Sequence, residues 1–170
     1  MIIVSVGTQL PFDRLIRMMD EIASDLDQKI FAQTGRSAYV PRNIEWKADV
    51  QALEFDTLLQ QASVLVAHAG IGTVLKAYEF GKPIILTPRK AAFGEHRNDH
   101  QLATVSKLVG RPGIYMADDE TTLKALLKDT SALTGPSSVE PVGRIALQSY
   151  LVSVVDSVLA KRGGAPLKAM

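Results

Sequence analysis

The 170-residue chain contains no cysteine. That removes disulfides, thiolate nucleophiles and zinc–sulfur sites, and it fits a cytoplasmic protein. An excess of one charge is missing as well, since 19 Lys and Arg stand against 18 Asp and Glu, a formal net charge of +1. Aromatics are only 6% of the residues and no basic run interleaves with them, so no nucleic-acid partner is expected. Long hydrophobic runs are absent: no segment approaches the roughly 18 consecutive apolar residues of a spanning helix. The opening "MIIVSVGTQLPFD" has no basic residue and too short an apolar run for a signal-peptide core. Two nucleotide signatures are also missing. The first apolar run ends in "GTQLPFD" where a dinucleotide fold would carry G-x-G-x-x-G, and no P-loop lysine pattern occurs.

What is present is a regular alternation. Short apolar runs at 2–6, 29–35, 63–70, 82–88 and 113–118, with a weaker one at 43–49, read as strands. Between them lie helix-period segments at 12–26, 52–62, 73–81, 98–110 and about 121–128. In the first, Phe12, Leu15, Ile16, Met19 and Ile22 form one stripe; in the second, Leu53, Leu58 and Leu59 do. Strands alternating with helices predict an α/β fold, a single Rossmann-like domain with a parallel sheet flanked by helices. The uninterrupted apolar character of "VLVA" and "IIL" suits strands buried on both faces. The expected organisation is a Rossmann-like domain over 1–132, a Pro/Gly/Ser-rich linker over 133–143 and a C-terminal helix and tail over 144–170, with an amphipathic helix at 144–161.

In an open parallel sheet, ligands bind beyond the carboxyl ends of the strands. Those ends carry Gly7-Thr8-Gln9, Gln33-Thr34-Gly35, the turn His68-Ala69-Gly70-Ile71-Gly72-Thr73, and Pro88-Arg89. The 68–73 turn has the makings of a phosphate cradle: glycines that allow close backbone approach, a following helix N-terminus with unpaired N–H groups, and a threonine hydroxyl. A tight strand-to-helix turn with a polar cap explains the same residues without a ligand. The polar stretch "RKAAFGEHRNDHQ" offers Glu95, His96, Asn98, Asp99, His100 and Gln101 to sugar hydroxyls, and Arg89, Lys90 and Arg97 to a diphosphate. A solvated loop before a helix is the plain alternative. His96 and His100 have a spacing metal sites use, but no third ligand accompanies them. Arg14 and Arg17 read as solvent-facing charges, Trp46 as packing, and Met18 as a residue just off the apolar stripe.

In order along the chain, "VGTQLPFDRLI", "QTG", "AHAGIGTVLKAYEFGKPIILTPR" and "NDHQ" resemble the glycosyltransferase family 28 C-terminal domain, most of all its small stand-alone versions. The resemblance runs from residue 1 to about 110. It implies the donor-binding half of a GT-B glycosyltransferase, with a UDP-sugar as donor substrate, no cofactor and no metal. It places the diphosphate on Gly7, Thr8 and residues 70–73, with His68 as the candidate for a catalytic polar role. Gln101, with Asp99 or Asn98, matches positions facing the donor sugar. It further implies inverting transfer to a lipid-linked glycan acceptor, as in exopolysaccharide synthesis. The partner would be a membrane-anchored acceptor-binding subunit that recruits the chain to the cytoplasmic face. One position departs from the family pattern. Lys76 stands where a glutamate commonly holds the ribose, and Glu79, three residues on, is the candidate substitute. A non-catalytic subunit that stabilises or recruits its partner is the alternative that this departure keeps open.

Overall fold

In the computed structural model the described residues are 1–136, 149, 150 and 152–154. The chain divides into two units, Met1–Ser137 and Ser138–Met170, and the first carries the sheet. It contains six strands: β1 (Ile2–Ser5), β2 (Ile30–Gln33), β3 (Glu45–Lys47), β4 (Val64–His68), β5 (Ile84–Thr87) and β6 (Ile114–Met116). Five helices alternate with them: α1 (Asp13–Ile22), α2 (Ala52–Gln61), α3 (Ile71–Glu79), α4 (His100–Leu108) and α5 (Glu120–Lys128). Every strand pair is parallel, in the order β3-β2-β1-β4-β5-β6. That is the doubly wound arrangement, whose strand order reverses between β1 and β4.

The elements follow from burial. The residues of β1 and β5 are all buried, as are the first four of β4, so apolar side chains are satisfied on both faces of the central sheet. β3 lies at the edge and all three of its residues are exposed, which is why its pattern is the weakest. The α1 stripe of Leu15, Ile16, Met19 and Ile22 is buried as its spacing predicts, and Phe12 fills the core at its N-terminal end. Met18, expected at the margin, is buried too. Leu53 departs from expectation: it is 83% exposed, and within α2 only Leu59 is fully buried.

Asp20 is the one carboxylate in the core side of α1, 2% exposed. It accepts bonds from the Tyr39 hydroxyl at 2.7 Å and from the backbone N–H groups of Arg42 and Asn43 at 3.0 and 2.7 Å. Burial alone would raise its pKa; the three donors outweigh that and hold it below the usual aspartate value. The start of the expected linker, residues 133–136, lies within the first unit, where the Thr134 N–H donates to the Tyr115 hydroxyl at 2.9 Å. Most of the expected 144–161 helix lies outside the described residues. Those of its residues that are described are helical.

Candidate functional site

Register brings the carboxyl ends of the central strands level. Ser5 pairs with Gln33 on one side and Ala67 on the other, and His68 pairs with Thr87. The segments leaving these ends therefore meet at one edge, and at the β1/β4 reversal they enclose a cleft of about 340 Å³. Its wall is made by Gly7, Thr8 and Gln9 after β1; His68, Gly70, Gly72 and Thr73 around the β4–α3 turn; and Arg89, His96 and Gln101 from β5 onward. No carboxylate is among the lining residues.

His68 stands at the back of the turn, its Nδ1 3.5 Å from the Ser5 carbonyl. That leaves Nδ1 to donate and Nε2 as the acceptor. The ring is sandwiched between two glycines. A Cβ on Gly7 would come within 3.0 Å of its Cε1, and one on Gly70 would overlap Nε2. Gly7 also has φ +75°, a conformation suited to glycine. Burial first, then the Arg89 charge, push the His68 pKa from its ordinary 6.5 to about 4, so the imidazole is neutral near pH 7. A base that weak is poorly matched to deprotonating a sugar hydroxyl. The geometry suits a neutral hydrogen-bonding role.

α3 begins at Ile71, two residues before its sequence-predicted start, so Gly72 and Thr73 sit in its first turn. The Thr73 and Val74 N–H groups already bond the Gly70 carbonyl, at 3.1 and 3.2 Å. The donors of Ile71 and Gly72 have no such backbone bond, as is usual at a helix start. Ile71 is not among the residues of the wall. Nothing lies within 4 Å of where a Gly72 Cβ would project. The chain's own packing thus gives Gly70 a reason to be glycine, but gives Gly72 none.

Arg89 is 2% exposed, and its Nη2 donates to the carbonyls of Val6 at 2.7 Å and Leu10 at 2.8 Å. It clasps the β1 loop from behind while keeping a positive charge at the cleft. Gln101 does a similar job. Its Oε1 accepts from the N–H groups of Ala69 at 3.3 Å and Arg89 at 3.0 Å, tying the β4 turn to the β5 end and leaving its Nε2 donors to the cleft.

Several expected site residues are placed elsewhere. Gln33 and Gly35 do not line the cleft. The Gln33 amide bridges the Ser5 hydroxyl, at 2.8 Å, and the Gly7 carbonyl, at 3.3 Å, and Gly35 packs against that same carbonyl. They brace the β1 loop from outside. Asp99 accepts from the Ala91 N–H at 2.9 Å, and Asn98 takes the His96 Nδ1 proton on its carbonyl, at 3.1 Å, so both shape the loop. His100 opens α4 with its ring edge-on to His96 at 6.5 Å, and it is not in the wall. The Glu95 carboxylate is turned away and held by Arg14 Nε at 2.7 Å and Nη2 at 3.0 Å. Glu79 pairs with Lys76 at 3.3 Å near the far end of α3, and Lys76 also pairs with Asp56 of α2 at 2.8 Å. Neither Lys76 nor Glu79 reaches the cleft. Arg14, expected to face solvent, is the residue the sequence reading missed.

None of the curated proteins matches the chain significantly in sequence. Solved structures match in fold. A glycotransferase of kitacinnamycin is 21% identical with a TM-score of 0.59, over 91% of this chain and 38% of that one. ALG13, whose solution structure was obtained from backbone NMR data, is 18% identical with a TM-score of 0.60, over 89% of this chain and 94% of that one. The glycosyltransferase SsfS6 of Streptomyces sp. SF2575, solved with thymidine diphosphate, is 15% identical with a TM-score of 0.53, over 86% of this chain and 40% of that one. The chain therefore spans about two fifths of the two larger enzymes. At these identities the likeness carries the fold, the Rossmann-like half of GT-B glycosyltransferases. The family follows from the sequence match: with residues 1–141 matching the glycosyltransferase family 28 C-terminal domain, the chain belongs to that family.

Proposed function

We propose that the chain is the donor-binding half of an inverting glycosyltransferase that transfers a sugar from a UDP-sugar to a lipid-linked glycan acceptor. The observation that carries this reading is the charge character of the cleft. It has an open helix N-terminus with nothing projecting at Gly72, a buried arginine behind it, and no carboxylate in its wall. Such a site favours an anion that the backbone can approach closely. The diphosphate would lie on the first turn of α3 and the Gly7-Thr8 loop, with the sugar toward Gln101 and His96.

In the reaction, an acceptor oxygen attacks the anomeric carbon as the bond to the diphosphate breaks, and UDP leaves with the electron pair. The helix dipole and Arg89 stabilise the charge that develops on it. The acceptor proton would pass to a base on a separate, membrane-anchored subunit. Attachment to the cytoplasmic face would come through that partner; among the described residues no helix is long and apolar enough to cross a membrane.

Lys76 favours a second reading, a subunit that keeps the fold and recruits or stabilises its partner without handling donor. With Lys76 held by both Asp56 and Glu79 outside the cleft, Lys76 has no carboxylate to offer a ribose diol and that of Glu79 is engaged elsewhere. Calorimetric titration with UDP, UDP-glucose, UDP-galactose, UDP-glucuronate and UDP-GlcNAc tests the first reading, with inorganic pyrophosphate as control. Micromolar to low-millimolar UDP binding, tighter than pyrophosphate, is expected. Absence of UDP binding, both alone and with the co-expressed partner, would leave the second reading standing.

A further inference from the structure

The site contains a helix-borne arginine whose partners lie far along the chain. Arg14 on α1 donates to Glu95 Oε1 from Nε at 2.7 Å and to Glu95 Oε2 from Nη2 at 3.0 Å, a bidentate pair. Its Nη2 also donates to the Pro88 carbonyl at 2.8 Å, and its Nη1 to the Asp118 carbonyl at 3.1 Å. One guanidinium therefore fastens together a helix, the ends of β5 and β6, and the loop between β5 and α4. Its side chain is 21% exposed and that of Glu95 is 9% exposed, so the pair is largely shielded from solvent. Glu95 Oε2 in addition accepts the Lys90 N–H at 2.9 Å, closing the loop on itself across the left-handed Gly94. The residue next to Glu95 is His96, which lines the cleft.

We infer that Arg14 is a positioning residue for the donor sugar: through Glu95 it fixes the 90–99 loop so that His96 forms the sugar side of the cleft. This rests on the donor-binding reading. Gly7 and the α3 N-terminus take no bond from Arg14, so the tether bears on the sugar side of the cleft more directly than on the diphosphate side. A lysine cannot replace it, because an ammonium has no planar fork to span both Glu95 oxygens while reaching two carbonyls.

The test uses the full chain and the variants Arg14→Lys and Glu95→Gln, read by amide hydrogen exchange and by titration with UDP and the four UDP-sugars. In both variants, amides 90–99 should exchange about tenfold faster while β1 and β4 keep their protection. The preferred UDP-sugar should bind about tenfold more weakly, with far less change for UDP itself. Wild-type exchange in the loop would overturn the tether. Equal loss of UDP and UDP-sugar affinity, or loss of protection in β1 and β4 as well, would reduce Arg14 to a general structural role. A wild-type chain that binds no UDP, either alone or with the co-expressed partner, overturns the donor reading before any variant is made, and the exchange measurement then still decides whether Arg14 orders the loop.

Discussion

Two glycines two residues apart should respond oppositely to the same methyl group. At Gly70 the backbone is extended, with φ −89° and ψ 129°, so alanine meets no dihedral strain and its whole cost is steric. The new Cβ would stand 3.0 Å from His68 Cδ2 and Cε1 and closer still to Nε2. The ring, blocked on its other side by Gly7, must shift by roughly 1 Å, and forced repacking of this kind costs about 1–3 kcal/mol. Alanine is also a poorer N-cap than glycine, which adds some tenths of a kcal/mol. At Gly72, in the first turn of α3, a Cβ meets nothing and the helix gains from reduced freedom of the unfolded chain, about 0.4–1 kcal/mol.

For a protein of this size each kcal/mol moves Tm by roughly 2–4 °C. Gly70→Ala should therefore lower Tm by about 4–10 °C, and Gly72→Ala should raise it by roughly 1–4 °C. UDP affinity runs the other way for Gly72→Ala, because the methyl group intrudes between the anion and the helix donors. Losing one bond to a charged group weakens binding about tenfold or more. Scanning calorimetry with UDP titration reads all of this. An unchanged Tm for Gly70→Ala would show that the His68 ring is not held as described, and a Gly72→Ala variant with wild-type UDP affinity would refute the cradle.

Other outcomes follow from particular groups. The unfolded chain protonates His68 near pH 6.5 and the folded chain only near 4, so stability should fall as pH drops through that window, by on the order of 3 kcal/mol; urea unfolding of His68→Gln should show a shallower slope there. Asp20→Ala strands the Tyr39, Arg42 and Asn43 donors and should cost about 3 kcal/mol in urea denaturation, with faster exchange across 36–43. Wild-type stability would show the loop is held otherwise. Gln101→Ala releases the Ala69 and Arg89 amides and removes the Nε2 donors from the sugar side, so it should weaken the preferred UDP-sugar about tenfold and UDP itself less. Gln101→Glu keeps both acceptor bonds but adds a negative charge to a cleft that receives an anion, so it should weaken UDP more than Gln101→Ala does, with little change in Tm.

The sheet was legible because β1, β4 and β5 are apolar on both faces, a pattern that only double burial makes tolerable. The glycine turn was legible too, although it holds two different requirements: Gly70 yields to a histidine of its own chain, while Gly72 yields to nothing the chain supplies. The roles of Arg14 and Glu95 were hidden for a physical reason. Helical periodicity reports which face is apolar, and an arginine there looks the same whether it meets water or acceptors 74, 81 and 104 residues away. Asp20 was masked similarly by its apolar neighbours on α1. Polar loop residues were over-assigned to the ligand, because composition cannot distinguish a carboxylate facing a cleft from one that closes a turn.

The burial of Arg89 bears on how the cleft responds to ionic strength. Mobile ions screen exposed charges over about 8 Å at physiological salt, but they act far less on a charge held inside the protein. With Arg89 2% exposed and its guanidinium fixed by two carbonyls, the cleft keeps an attraction that added salt cannot readily neutralise. Capture of an anion in this cleft should thus persist in concentrated salt that dissolves contacts between exposed charges, such as the Lys29–Glu45 pair at the sheet edge.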